Sequence, residues 1–394
     1  MVEHITATVF KNLDHIIAEL DPIAVNALAE AVYSWDGCFK SKQFHAKYGT
    51  LPEVESTGGR GEMHLLYLFF INGKIPQDLM AVLGKKINRP ASEKIHYDDL
   101  NAAPDLTARD TARAACMNLN TLLTLVENKE IRVSPTTGRA TAATIKKISD
   151  SLCDGDFYDN DLDPIQAFAW PLLLQGGGLA TIDGIFLKLT GDGTKALKKD
   201  LAQGIKTIWE KWEKTKIIDE YCQVTAVKGQ KAVKERTMTS PVRRRPVINE
   251  ALACLEPGRW ITVDEMERFM LSESYTFEMT NYDWKLYFCD PNYGHLDHHD
   301  TWPLLQLRYL LIYLFQYCAT LGLLDVSYKH PKDAKPGFRS CWGADEEPFL
   351  SQCDGLMQIR LNDLGAYVLG LSTAYGAMDA RDFEIHDTDI IYSA

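Results

Sequence analysis

The sequence predicts an α+β, helix-rich fold assembled from repeated small modules. Three observations predict it: a stretch that occurs twice, a tight-turn dipeptide between short apolar runs, and amphipathic helical spacing on either side. In each copy an apolar helix ends in Gly-Leu, runs into a hairpin, and returns as a strand closing with Leu-(Thr/Asn)-x-x-Gly-x-x-(Ala/Val)-Leu. The first copy opens at Gly178-Leu179 and closes with Leu189-Thr190, Gly193 and Ala196-Leu197; the second opens at Gly322-Leu323 and closes with Leu361-Asn362, Gly365 and Val368-Leu369. A helix packed on a hairpin wing, with a glycine turning the chain into the next helix, is the pattern of a winged-helix unit. The expected fold class is therefore tandem winged-helix-like modules, four or so.

Residues 1–100 read as a helical N-terminal module. Val9 to Leu20 has helical spacing, Asp21-Pro22 opens a second helix through Val32, and the buried run His64 to Ile71 meets the turn Asn72-Gly73. Lys40 to Pro52 reads as a connecting element, Glu53 to Glu62 as a glycine-bearing loop, and Asn88 to Leu106 as a linker. Residues 101–158 read as a winged-helix-like module: a helix from the N-cap candidate Thr107 through Val126, a short strand Lys129 to Ser134, and a helix Ala142 to Leu152. Val133-Ser134 followed by Gly138 is a weak echo of the repeat.

Residues 159–227 form the first clear wing module, with a buried helix Pro164 to Leu174, the turn Asp183-Gly184 that type I′ geometry favours, and a Trp-bearing helix Leu201 to Lys214. Residues 228–246 read as a basic linker. Residues 247–394 carry the C-terminal modules: a helix Val247 to Leu255, the run Trp260 to Asp264 with Thr262 as a cap, a helix Trp302 to Leu321, and an insertion at about 330–354 between two wing strands.

The chain resembles the tandem winged-helix regions found with XPB-type DNA helicases in bacteria. The resemblance lies in Leu187-Lys188-Leu189-Thr190 with Gly193, in Ile208-Trp209-Glu210-Lys211-Trp212, and in Gln358 to Gly370, and it covers about half the chain. It implies duplex DNA binding, or docking onto a DNA-processing enzyme such as a helicase or nuclease, in genome maintenance or anti-phage (antiviral) defence. No Gly-x-x-x-x-Gly-Lys-(Ser/Thr) is present, which removes a helicase motor from the reading.

The bulk numbers bound the function. A net charge of −12 argues against indiscriminate coating of nucleic acid, yet Phe186 to Arg245 holds 15 Lys+Arg against 7 Asp+Glu, and Pro246 to the end 10 against 23. The nine scattered cysteines, none in Cys-x-x-Cys, suggest reduced thiols rather than a disulfide framework or zinc ribbon. The N-terminus has acid and base among its apolar positions, unlike a signal peptide, and no uncharged run reaches the ~18 residues a spanning helix needs. A cytoplasmic location, no membrane partner and no cofactor are expected.

The candidate DNA-binding residues fall in two groups. Thr137, Arg139, Thr141, Thr144, Lys146 and Lys147 place hydroxyls and bases at a helix start, suited to phosphate and to a guanine edge, although capping alone also accounts for the threonines. Lys228, Lys231, Arg243, Arg244 and Arg245, with Lys234 and Arg236, form a basic strap for the phosphate backbone, or a solvated linker. Phe338, Trp342, Phe349 and Leu350 are apolar anchors of the insertion and candidate partner-binding residues, because the acidic C-terminal half should repel phosphate. His295 to Asp300 is the densest set of metal-capable side chains, but adjacent residues cannot all aim at one ion, so no metal is expected; Gly176-Gly177-Gly178 resembles a phosphate loop only in composition.

The function expected is thus a non-catalytic subunit that docks duplex DNA and a protein partner. The alternatives are a pure protein-interaction scaffold and, more weakly, a metal-dependent hydrolase.

Overall fold

The computed structural model describes residues 12–52, 65–97, 105–158, 162–198, 200–231, 237–296, 300–334 and 337–375, and the backbone of 383–386 and 389–392. The chain divides into two compact units: Met1–His96 with Glu265–Thr276, and Tyr97–Asp264 with Phe277–Ala394. Among the described residues no helix is long and apolar enough to cross a membrane. Helices dominate, and the strands form small antiparallel sheets.

The first unit packs α1 (Leu13–Glu19), α2 (Pro22–Tyr33), α3 (Ser41–Tyr48) and α4 (Gln77–Leu83) around Leu28, Phe44, Phe69 and Leu83. Pro22 occupies the first turn of α2, where its missing N–H costs nothing, and the Asp21 carboxylate accepts from Ala24 N–H at 2.8 Å. Asn72 and Gly73, at φ +52° and +78°, make a two-residue hairpin turn whose flanking residues Ile71 and Lys74 exchange both backbone hydrogen bonds. Residues 41–48, expected as a connecting element, are a helix ended by Gly49 at φ +70°. The expected loop Glu53 to Glu62 lies outside the described residues.

From Ala112 onward one element order occurs twice along the chain. The first runs α5 (Ala112–Glu127), an extended segment 131–133, α6 (Ala142–Ser151), α7 (Gln166–Gly176), β2 (Ala180–Asp183) and β3 (Phe186–Leu189). Val133 N–H donates to Ile185 O and Leu187 N–H to Ile131 O, both at 2.9 Å, so 131–133 lies along β3, which pairs in turn with β2. Residues 131–133 and β3, expected in the separate modules 101–158 and 159–227, are therefore hydrogen-bonded to each other. The N-cap expected at Thr107 is also corrected: β1 (Thr107–Arg109) is a strand, and the helix starts at Ala112.

The second order runs α10 (Pro241–Leu252), β4 (Trp260–Thr262), α11 (Val263–Ser272), α12 (Gln306–Ile312) continued by a π-helical stretch Tyr313–Ala319, β5 (Leu324–Tyr328) and β6 (Leu356–Leu361). The intervening elements are α8 (Gly191–Ala196) and α9 (Leu201–Trp212); α13 (Asp363–Val368) follows, and β7 (Phe383–His386) and β8 (Asp389–Tyr392) pair with each other. The sheet order is β1-β5-β6-β4, all antiparallel, so again the strand between the first helices lies on the last strand. Residues of α11 from Glu265 onward belong to the first unit.

The repeated residues do the same work in both copies. Gly178 and Gly322, at φ +70° and +76°, end their helices in Schellman motifs: Leu179 N–H donates to Leu174 O and Leu323 N–H to Cys318 O, each 2.9 Å. Thr190 Oγ1 donates to Gly178 O at 2.7 Å and accepts from Gly193 N–H at 3.1 Å. Asn362 divides the same two tasks, Nδ2 donating to Gly322 O at 3.0 Å and Oδ1 accepting from Gly365 N–H at 2.9 Å. The position needs a side chain that both donates and accepts at short reach, which a hydroxyl and a carboxamide each provide. A Cβ on Gly193 would sit 2.0 Å from Leu179 O and one on Gly365 2.2 Å from Leu323 O, so only glycine fits. The turn between β2 and β3 is Gly184-Ile185 rather than the expected Asp183-Gly184, and only Gly184 has positive φ, the sign pattern of type II′ rather than the expected I′.

Candidate functional site

The helices that precede the two hairpins, α7 and α12 with its π-helical extension, are both buried: Ala167 and Ala169 to Leu174 in one, Arg308 to Ala319 in the other. They pack on each other within the second unit. α9 covers them further, with Trp212 stacked on Tyr317 at 4.9 Å and Trp209 against Tyr313 at 5.9 Å. Gly176 and Gly177 are not a phosphate loop, because a Cβ on either would strike Trp212 or Ile208 of α9 at 2.7–2.8 Å; their job is close helix approach.

The first group of candidate residues sits on α6, the helix before α7, and on the turn that leads into it. Thr141 caps it, its hydroxyl accepting from Thr144 N–H, and Thr144 is buried with its own hydroxyl accepting from Arg132 N–H, so these two are occupied by the fold. Thr137, Arg139, Lys146 and Lys147 are exposed. Arg139 donates to Cys222 Sγ at 3.2 Å and lies over the Phe168 ring, and Lys147 pairs with Glu130, whose carboxyl it holds below the usual range.

The basic strap is corrected most sharply. Residues 241–252 are helix α10, and Arg244 and Arg245 are completely buried, while Arg243 stays exposed. Arg244 makes a bidentate bond to Asp219 at 2.7 and 3.0 Å and lies 4.9 Å from the Tyr309 ring. Arg245 bonds Glu220 at 2.6 Å, donates to the carbonyls of Trp212, Thr215 and Ile218, and stacks 4.6 Å over Trp212. Burial alone works against the Arg245 charge, yet the Glu220 carboxylate overrides it and the guanidinium is held above its ordinary value. Buried charges require such partners, so these arginines are structural and unavailable to phosphate. Lys228 and Lys231 are exposed, Lys228 donating to Thr225 O; Lys234 and Arg236 lie outside the described residues.

The insertion is likewise part of the core. Phe338 and Leu350 are buried, and Asp354 forms a buried ion pair with Arg308 at 3.1 Å while closing a capping box with Ser351. Burial raises the Asp354 carboxyl above its ordinary value, with Arg308 opposing. Two of the four candidate partner residues are thus buried in the fold rather than free for a partner. Trp342 is exposed and Phe349 half-buried.

What the sequence could not bring together is a cleft of about 1100 Å³ where the two repeats meet. Its lining includes Ile145 and Lys146 of α6, Phe168 of α7, Phe349 and Gln352 of the insertion, and Gln316 and Gln223. The charges around it are mixed: Lys146 with Asp150, Asp163 and Glu347. Gln352 Oε1 is shielded and has no hydrogen-bond partner, and Gln223 reaches Gln316 only at 3.4 Å, so the glutamine amides retain capacity for a ligand. Phenyl walls, carboxamides and hydroxyls suit a polypeptide, whose backbone both donates and accepts. A smaller hollow of about 220 Å³ beside Asp219 is lined by Lys231 and Cys222.

The buried thiols and phenols stay protonated: burial pushes Cys116 up to about 11 and raises Cys318, Tyr309, Tyr313 and Tyr317 well above their ordinary values. Among the described residues no group of three or more His, Cys, Asp or Glu is placed to hold a metal; Asp297, His298 and His299 lie outside them, and Asp300 caps Trp302 N–H at 3.0 Å. Comparison with protein-family models, with curated proteins and with solved structures returned no match.

Proposed function

We propose that this chain is a non-catalytic, complex-organising protein: two winged-helix modules fused through their third helices, holding a segment of a protein partner in the cleft between them. The observation that carries the reading is the burial of α7 and α12, which leaves no helix of the groove-entering position free to read bases. The repeated helix–strand–helix–helix–strand–strand order and the duplicated Schellman-plus-cap bonding support the winged-helix assignment. A helicase or nuclease as the partner, and a defence or genome-maintenance setting, are what the family resemblance implies.

A second reading, duplex contact through phosphates alone, is favoured by the exposure of Arg139, Lys146, Lys228, Lys231 and Arg243. One experiment separates the two. Tagged wild-type chain and Phe349→Glu are isolated from the source cells, and retention on duplex DNA is measured at two salt concentrations. The docking reading expects a stoichiometric co-purifying protein that is lost in Phe349→Glu. Wild-type chain that isolates alone, yet binds duplex with affinity falling steeply in salt, overturns it.

A further inference from the structure

Tyr293 and Trp342 are 77% and 55% exposed, in the same class of outlier as Trp284, and they face each other edge to face with ring centroids 6.1 Å apart. Large rings left in water in this way mark interaction sites more than chance. Their exposure is built. Phe288 N–H donates to Gly294 O at 2.9 Å and Gly294 N–H to Asp290 O at 3.0 Å, closing the turn that carries Tyr293; a Cβ on Gly294 would meet Phe288 O at 2.1 Å. The turn under Trp342 is pinned by the buried residues Phe338, Cys341 and Ala344. The two turns are tied together where Cys289 Sγ donates to Gly343 O at 3.1 Å.

The two stretches that carry the rings are acidic in sequence: residues 286–300 and 340–355 contain seven Asp and Glu and no Lys or Arg, with Lys285 and Arg339 flanking them. Of the seven, Asp354 is paired with Arg308 and Asp300 caps Trp302 N–H. Asp345 and Glu346 are exposed beside Trp342, and Asp290 is partly exposed. An aromatic face attracts a cation through its quadrupole, and carboxylates nearby add steering and selectivity.

We propose that Tyr293 and Trp342, set among Asp290, Asp345 and Glu346, form a clamp that docks an unstructured basic peptide segment of a partner protein. Lysine or arginine side chains lie on the rings while their charges meet the carboxylates. The proposal gives the docking reading a partner chemistry, but it uses residues apart from the cleft lining and is tested apart from it.

The test is a titration followed by tryptophan fluorescence and by anisotropy of labelled probes: an eight-residue Lys/Arg/Gly peptide of charge +4, its Glu-substituted counterpart, and a single-stranded oligothymidylate. Saturable binding of the basic peptide is expected, with no binding of the acidic one. Trp342→Ala and Tyr293→Ala should each weaken it about tenfold, Trp342→Phe should restore most of it, and Asp345→Asn with Glu346→Gln should flatten its salt dependence. The titration uses isolated chain and a defined peptide, so saturable binding stands even where no partner co-purifies and the cleft reading fails. Absence of saturable binding, equal binding by Trp342→Ala, or preference for the oligonucleotide overturns the proposal.

Discussion

Replacing Arg245 by Met tests whether the basic run is structural. The guanidinium is fully buried against a Glu220 that is itself fully buried, and it also serves the carbonyls of Trp212, Thr215 and Ile218. Methionine keeps most of the volume but none of the donors, leaving Glu220 with the Tyr309 hydroxyl at 3.0 Å. Breaking a buried ion pair by removing one partner costs about 3–5 kcal/mol, and each stranded carbonyl adds to that. We expect a loss of at least about 4 kcal/mol, roughly three orders of magnitude in the folding equilibrium. Urea unfolding followed by tryptophan fluorescence measures it, with the exposed Arg243→Ala as control, expected within about 0.5 kcal/mol of wild type. Adding Glu220→Gln to Arg245→Met should recover part of the loss, because the uncompensated charge is then gone. A midpoint for Arg245→Met that matches the Arg243→Ala control would refute the reasoning. A triple alanine replacement of Arg243, Arg244 and Arg245 would lower DNA retention by unfolding, whatever the protein binds.

Gly193→Ala and Gly365→Ala each drive a methyl into a carbonyl oxygen at 2.0–2.2 Å, and each should cost about 1–3 kcal/mol or more in the same unfolding assay, far above an alanine at the open Gly191. Lys129 ends α5 at φ +58° in a Schellman motif like those closed by Gly178 and Gly322, so Lys129→Gly should stabilise by up to about 1 kcal/mol; a loss of stability would show that its side chain contributes more than the strain costs. Burial alone raises the Glu265 carboxyl, but hydrogen bonds from Arg268 and the His96 amide outweigh it and hold it below the ordinary 4.5. A lowered folded value means this contribution is present above pH 4.5 and is lost as pH falls through the folded value, so Glu265→Gln should flatten the acid limb of the stability profile; an unchanged limb counts against it.

The sequence by itself determined the features whose hydrogen bonds close within a few residues. The Leu-(Thr/Asn)-x-x-Gly signal was legible because the cap spans three positions and the glycine is demanded by one carbonyl, and Asp21-Pro22 and Asn72-Gly73 follow the same logic. Tertiary structure decided everything that depends on a distant partner. Three consecutive arginines read alike in a solvated strap and in a helix buried against carboxylates, and their acids lie 25 positions earlier. The residues 131–133 show no sign in sequence that they will lie along β3, nor α7 and α12 that they will bury each other. The Gly176-Gly177 pair and the anchors Phe338 and Leu350 change meaning for the same reason. Composition records which side chains can leave water, whereas which of them do is settled by the surface that arrives to cover them.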